Sequence, residues 1–433
     1  MAEPPAAPRG ILRKWNALPL YVRIVIAMAA GVLTGLLLGD NAQVMEIPSK
    51  VILQLLGALA PPLILIAVTH VLMTTEVRGK MAARLGMLLL INTTVAIVIG
   101  LTVANVMKPG TWTTYEQKPA AETETGRKSP VELLVQNVPH SILGPLGDRQ
   151  NIIGVILIAV AFGVALRGVK QKRLDTVENM VEVAYHVLLT VLHWIIHLVP
   201  IGVFAIVARV VGVEGFGPFK AMAAFVLAVV LALLLQTSWY LVRIQFFSWV
   251  RPLDMLRGMR DALFMAFSTD SSTATMPVTY ACLREKVGVR EEAASMGALV
   301  GANFNNDGTA LYEAMAALFV AQLIGQDLTL AQQLIIVFTS IIASVGAAGI
   351  PEAGLVTMTL VFSAVGLPIE YIGLLLTVDW FLDRCRTTIN VLGDVNVSCL
   401  LDGRRRPTAE ATASAPPAAP PPEPAADPPQ PGA

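Results

Sequence analysis

Between Asp379 and Asp394 the chain carries Asp379, Asp383, Arg386, Thr387, Asn390 and Asp394 inside an otherwise apolar stretch. At about 100° per residue these six side chains fall on one face of a helix, covering about a third of its circumference. Each charge turned to lipid costs about 2.5–3.5 kcal/mol, and four on one helix cost on the order of 10 kcal/mol, comparable to the stability of a whole fold. They must therefore face one another, a ligand or water. Carboxylates beside a guanidinium suit a zwitterion with an extra acid group. An aspartate can hold the ammonium, and arginine can take a carboxylate through two parallel hydrogen bonds. A purely structural ion-pair network also accounts for the charges, but not for the broken segments that flank them.

Those segments are three small or polar clusters: Ser268–Thr273, Asn303–Thr309 and Gly346–Pro351. Irregular backbone at membrane depth survives only inside protein or against a water-filled cavity. A Ser/Thr-rich break precedes the Asn/Asp helix, and a Gly/Ala-rich break precedes the Asp/Arg helix. Two such broken segments at corresponding places in two halves point to a binding site between inverted repeats.

The rest of the chain explains why these residues need a membrane setting. Of its 433 residues 55% are hydrophobic and only 14% charged, against about a quarter charged in soluble proteins; the mean hydropathy is +0.65. Stretches long enough to cross a bilayer run over 18–39, 48–74, 85–107, 150–168, 181–213 and 219–249. Basic residues mark alternate loops: Arg9, Arg13 and Lys14; Arg78, Lys80 and Arg84; Arg167, Lys170, Lys172 and Arg173; Arg251, Arg257 and Arg260. That bias predicts cytoplasmic termini, with Lys108–Gln150 as an extracytoplasmic or partly re-entrant insertion. The expected division is a tail at 1–17, six membrane helices over 18–249, a core over 250–403, and a Pro/Ala-rich disordered tail at 404–433. Cys282, Cys385 and Cys399 show no CxxC spacing, which argues against a disulfide framework or a zinc site. No signal-peptide cleavage pattern precedes the first span.

The runs Asp307–Glu313, Ala347–Gly354 and Asp379–Asp394, supported by Pro200–Ala205 and Ala274–Thr279, resemble the dicarboxylate/amino acid:cation symporter family, nearest to its excitatory amino acid (glutamate/aspartate) branch. The resemblance covers nearly the whole chain apart from the two tails. It implies an all-α polytopic membrane protein with eight transmembrane helices and two re-entrant hairpins, at about 252–287 and 330–366, built as inverted repeats. It also implies a homotrimer in the cell membrane whose transport domain moves like an elevator against a static scaffold. Carried over by position, Asp383 would hold a substrate ammonium and Asn390 its α-carboxylate. Arg386 and Thr309 would hold the side-chain carboxylate, with Thr387 beside them. Ser271, Ser272 and Gly354 at the hairpin tips would close over the ligand. The arginine at position 386 favours aspartate or glutamate over a neutral amino acid.

For the coupling ion the resemblance divides. A first sodium site is matched by Gly301, Asn305, Asn390 and Asp394. Around Asp307 the match fails: Asn303 and Asn306 replace a threonine and a methionine, and Leu89 and Asn92 replace a tyrosine and a threonine on the third helix. Leucine offers a cation no side-chain oxygen, and hard cations want oxygen. Sodium coupling is therefore expected to be weakened or lost. Glu313 stands where neuronal-type relatives carry a proton-accepting glutamate, so H⁺ is the second candidate ion. Asp270, where relatives have Ser or Arg, is expected to pair with Arg384; Glu352 adds a further acid near the second tip.

No enzyme chemistry is expected, since no nucleophile–base pair accompanies the site, and no cofactor beyond Na⁺ or H⁺ or nucleic-acid partner is implied. His186, His193 and His197 share a helical stripe with no acidic or Cys ligand nearby and are expected to pack. The sequons at Asn92 and Asn396 fall in predicted spans, so their use as glycosylation acceptors is not expected. No GxxxxGK[ST] loop supports ATP drive. A sodium-coupled glutamate/aspartate symporter, a C4-dicarboxylate carrier, and an anion channel or substrate sensor remain the competing readings.

Overall fold

The computed structural model describes residues 18–74, 79–112, 141–147, 152–168, 174–346 and 353–405. Residues 1–17 and 406–433 of the two tails, Arg78, Lys170, Lys172, Arg173, most of Lys108–Gln150, the tip Ala347–Pro351 and Glu352 lie outside them. Among the described residues the regular structure is entirely helical. In chain order the helices are α1 (Leu20–Leu38), α2 (Glu46–Thr74), α3 (Gly79–Met107), α4 (Ile152–Gly168), α5 (Leu174–Ile196), α6 (Val199–Arg209) and α7 (Gly217–Phe247). They are followed by α8 (Pro252–Thr269), α9 (Ser272–Ala281), α10 (Asp307–Leu323), α11 (Leu330–Gly346), α12 (Ala353–Ala364) and α13 (Ile372–Asp402).

The apolar stretch over 181–213 is two helices, not one. Pro200 lacks an N–H and its fixed φ suits a first helical turn, so α6 starts afresh at Val199 after a turn at His197 and Leu198. A wider, π-type turn at Val210–Glu214 then ends it.

Among the described residues four stretches are long and apolar enough to cross a membrane: Val22–Ile52, Ala83–Thr111, Thr176–Ile196 and Gly217–Phe247. Large apolar side chains such as Leu33, Leu37, Val183, Trp194, Leu234 and Phe246 point outward, while Asn92, Asp307, Glu313, Arg386 and Asp394 are buried. Apolar outside with ionisable groups inside is the arrangement hydrocarbon imposes and water does not.

The helices pack in two groups. In one, α2 packs on α4, α5 and α6, and α1 packs on α6. Gly31 and Gly35 let the α1 and α6 backbones touch; a methyl at Gly31 would lie 2.8 Å from the Phe204 carbonyl oxygen. In the other, α3, α7, α8 and α10 surround α13. The hairpin α8–α9 and the pair α11–α12 both belong to this second group.

Candidate functional site

The site is built where two chain breaks meet the polar face of α13. The first is the tip between α8 and α9. Asp270 ends α8 in a left-handed conformation (φ 58°), its N–H bonded to the Ala266 carbonyl at 3.0 Å. Aspartate tolerates this conformation better than most residues. Ser271 then caps α9, its Oγ accepting the Ala274 N–H at 3.1 Å. The second break is Asn305–Asn306, both non-helical, between the turn Gly301–Phe304 and α10.

Among the described residues Arg386 is the largest fully buried side chain, with 0% exposure. Its Nη1 donates to Asp379 Oδ1 at 2.7 Å and its Nη2 to Asp383 Oδ1 at 2.5 Å. The guanidinium lies 4.0 Å above the Tyr312 ring of α10, and Gly354 of α12 sits against Nη2. Its Nε has no hydrogen-bond partner among the described residues. The guanidinium is thus held by two carboxylates, an aromatic face and a glycine, and Nε is the one of its three nitrogens left without a partner among the described residues.

One turn along, Asn390 ties α13 to the break. Its Oδ1 accepts the Gly308 N–H at 2.8 Å, and its Nδ2 donates to Asn306 Oδ1 at 3.2 Å and Thr309 Oγ1 at 3.4 Å. Gly308 permits this approach, since a methyl there would fall 2.7 Å from the Arg386 carbonyl oxygen. Thr387 donates to Asp270 Oδ1 at 3.3 Å, and Ser272 donates weakly to the Ala302 carbonyl at 3.5 Å. The predicted substrate residues Ser271, Ser272, Thr309, Gly354, Asp383, Arg386, Thr387 and Asn390 therefore share one locality. Arg384 donates to the Phe267 and Ser268 carbonyls at 2.9 and 2.7 Å, and its charge acts on Asp270.

The cation residues separate into two environments. Asp394 accepts Asn305 Nδ2 at 2.9 Å, and the same amide donates to the Asn390 carbonyl at 3.0 Å. Gly301 lies so close that a methyl would sit 2.5 Å from Asp394 Oδ1. Asn305 Oδ1 is buried without a donor among the described residues. A buried carboxylate and an orphaned amide oxygen fit a cation, and Gly301, Asn305, Asn390 and Asp394 would hold one there.

Asp307 is different. The Thr93 hydroxyl donates to its Oδ1 at 2.6 Å, and the Tyr240 hydroxyl donates to its Oδ2. Beside it Arg243 donates to Asn92 Oδ1. Leu89 is buried there with an apolar side chain. Donors already meet the acceptors a cation would need, so these residues do not fit a bound sodium ion. Arg243 and Tyr240 were not among the residues expected at the site. The available signal was an arginine in the long apolar helix α7. Asn303 falls in the Gly301–Phe304 turn, its side chain outside the described residues.

Glu313 is wholly buried in α10, where Thr357 of α12 and the Arg386 charge act on it. Neither carboxylate oxygen has a well-formed hydrogen bond among the described residues. Among the described residues no cluster of three or more His, Cys, Asp or Glu is placed to hold a metal.

The apolar helices and the inward-facing charges define a multi-pass membrane protein with a buried polar cluster. The match to the Sodium:dicarboxylate symporter family spans residues 20–404, and the chain belongs to that family. It is 29% identical over 438 residues to excitatory amino acid transporter 3 of rabbit (Oryctolagus cuniculus), covering 87% of this chain and 83% of the relative. An excitatory amino acid transporter of Caenorhabditis elegans is 30% identical over 431 residues, covering 87% and 85%. The mouse (Mus musculus) excitatory amino acid transporter 3 is 40% identical over a shorter 258 residues, 59% of this chain and 49% of the relative.

Proposed function

We propose that this protein is a secondary transporter of acidic amino acids, aspartate or glutamate, whose sodium coupling is weakened. The observation that carries the substrate reading is Arg386, buried on α13 between Asp379 and Asp383. A charge this deep is tolerated only with compensating partners. An amino acid with two carboxylates offers an exchange: its ammonium takes Asp383 from Arg386, and its side-chain carboxylate takes the freed Nη2. Asp379 keeps Arg386 anchored throughout. Asp379, Asp383 and Arg386 each keep an oppositely charged partner before and after. Asn390 and the tip residues Ser271 and Ser272 supply the polar groups for the α-carboxylate.

The two packing groups support an elevator in which α3 and α7–α13 travel past α1, α2, α4, α5 and α6. In the same reading the protein is a homotrimer of eight-span subunits in the cell membrane with both termini in the cytoplasm. A cation at Asp394 would balance that carboxylate and hold the Asn305–Asn306 break in shape. Glu313 is the candidate proton carrier, a fully buried acid with Thr357 and Arg386 acting on it.

Calorimetric titration of the purified protein with aspartate, in Na⁺ and in choline, tests both parts. Aspartate is expected to bind in either medium, and the substitution Arg386→Cys is expected to abolish binding. Retained aspartate affinity in that variant would overturn the substrate reading. A steep rise in wild-type affinity with Na⁺ would overturn the weakened coupling.

A further inference from the structure

Arg243 is 7% exposed, four residues before the end of the 31-residue helix α7. An arginine near a helix end ordinarily snorkels outward to water. This one turns inward. It donates to Asn92 Oδ1 on α3, lies 5.7 Å from the centroid of the Trp239 ring, and interacts electrostatically with Asp307 on α10. Around it the polar groups are knitted together. Tyr240 and Thr93 donate to the two oxygens of Asp307. Asn92 Nδ2 donates to Asn396 Oδ1 at 3.4 Å, and Asn396 Nδ2 donates to the Tyr240 carbonyl at 3.0 Å. Gln236 reaches the Asn92 carbonyl at 3.4 Å.

A carboxylate buried like Asp307 needs a positive charge nearby. In a family named for sodium symport, a mobile ion is the obvious source, yet the oxygen ligands for one are spent here. We propose that Arg243 is a built-in cation, supplying to Asp307 permanently the positive charge that a coupling sodium ion would otherwise bring. The site is closed to sodium because the Thr93 and Tyr240 hydroxyls already occupy both Asp307 oxygens while Arg243, held beside them by Asn92, supplies the charge. This rests on the transporter reading, and it accounts for three departures at once. Leu89 needs no ligand oxygen, Asn92 accepts from a guanidinium rather than facing a metal, and Asp307 is kept despite losing its ion.

The test removes the charge while keeping an unbranched apolar side chain in its place: Arg243→Met, compared with wild type and with the double variant R243M/D307N. Melting temperature is read without substrate as Na⁺ replaces choline, so failure of the aspartate reading leaves this measurement intact. Any response through Asp394 is common to all three proteins and sets the baseline. R243M is expected to melt lower than wild type in choline and to recover with Na⁺, beyond the wild-type response; D307N in the double variant is expected to erase that extra response. An R243M response to Na⁺ equal to that of wild type would overturn the proposal, as would an extra response that survives D307N. Should R243M yield no folded protein, the double variant decides. Its folding would support an unbalanced charge as the fault, and its failure would overturn the proposal in favour of a packing role.

Discussion

The partner exchange at Arg386 makes an unusual prediction for Asp383→Asn. In the wild type a dicarboxylate without an ammonium, such as succinate, must take Nη2 of Arg386 from Asp383 and leave that carboxylate buried with nothing in return. The bond broken is a 2.5 Å ion pair between groups 0% and 9% exposed at their side chains. Breaking a buried pair from one side costs about 3–5 kcal/mol, so the wild type should prefer aspartate over succinate by about 10²–10⁴-fold. With Asn at 383 the stranded charge does not arise. The ammonium loses its partner, and succinate no longer pays the penalty. Aspartate affinity is expected to fall by about 100-fold or more and succinate affinity to rise, narrowing or inverting the preference. Calorimetric titration of both ligands into wild type and D383N measures this directly. Equal losses for aspartate and succinate would refute the exchange, and so would wild-type aspartate affinity in D383N.

Two further substitutions probe the contacts around that pair. Gly308→Ala places a methyl 2.7 Å from the Arg386 carbonyl oxygen and 3.0 Å from its Cα, forcing α10 from α13; it should cost about 1–3 kcal/mol. A lowered melting temperature with weakened aspartate binding is expected, and an unchanged melting curve would refute the close approach. Glu313→Gln keeps the shape of a fully buried acid and removes its ability to change charge, so uptake into proteoliposomes should lose its pH dependence. Wild-type pH dependence in E313Q would remove Glu313 from the coupling.

Much of this site was legible because hydrocarbon makes polar residues conspicuous. The face from Asp379 to Asp394 stands out in an apolar background, and helical periodicity alone gathers it. The breaks at Asp270 and at Asn305–Asn306 announce themselves as polar clusters that no continuous span would carry. The rest depends on which helices touch. Asn92 and Arg243 are 151 positions apart, and neither periodicity nor spacing brings α3 and α7 together. Leu89 and Asn92 were visible as departures from the resemblance, but the arginine that bonds Asn92 lies on a different helix. The stretch over 181–213 was misjudged for a local reason. Uniform apolarity there hides the turn, and Pro200 marks a helix start, which reads in sequence like an interruption within a helix.

A tethered cation changes the energetics of transport as well as the site. Helix α7 packs with α3 and α13, so in an elevator Arg243 travels with the substrate and returns with the unloaded domain. A charge that returns delivers nothing, and its outward trip cancels its inward one. A mobile sodium ion in its place would contribute about 2.3 kcal/mol per 100 mV of membrane potential. A tenfold sodium gradient would add about 1.4 kcal/mol. Together these correspond to about 500-fold in the substrate ratio the protein could sustain. The built-in cation therefore gives up concentrating power in return for independence from sodium at Asp307. Vesicles carrying R243M should accumulate aspartate more steeply with the sodium gradient than wild-type vesicles. Parallel slopes would show that Arg243 does not stand in for a transported ion.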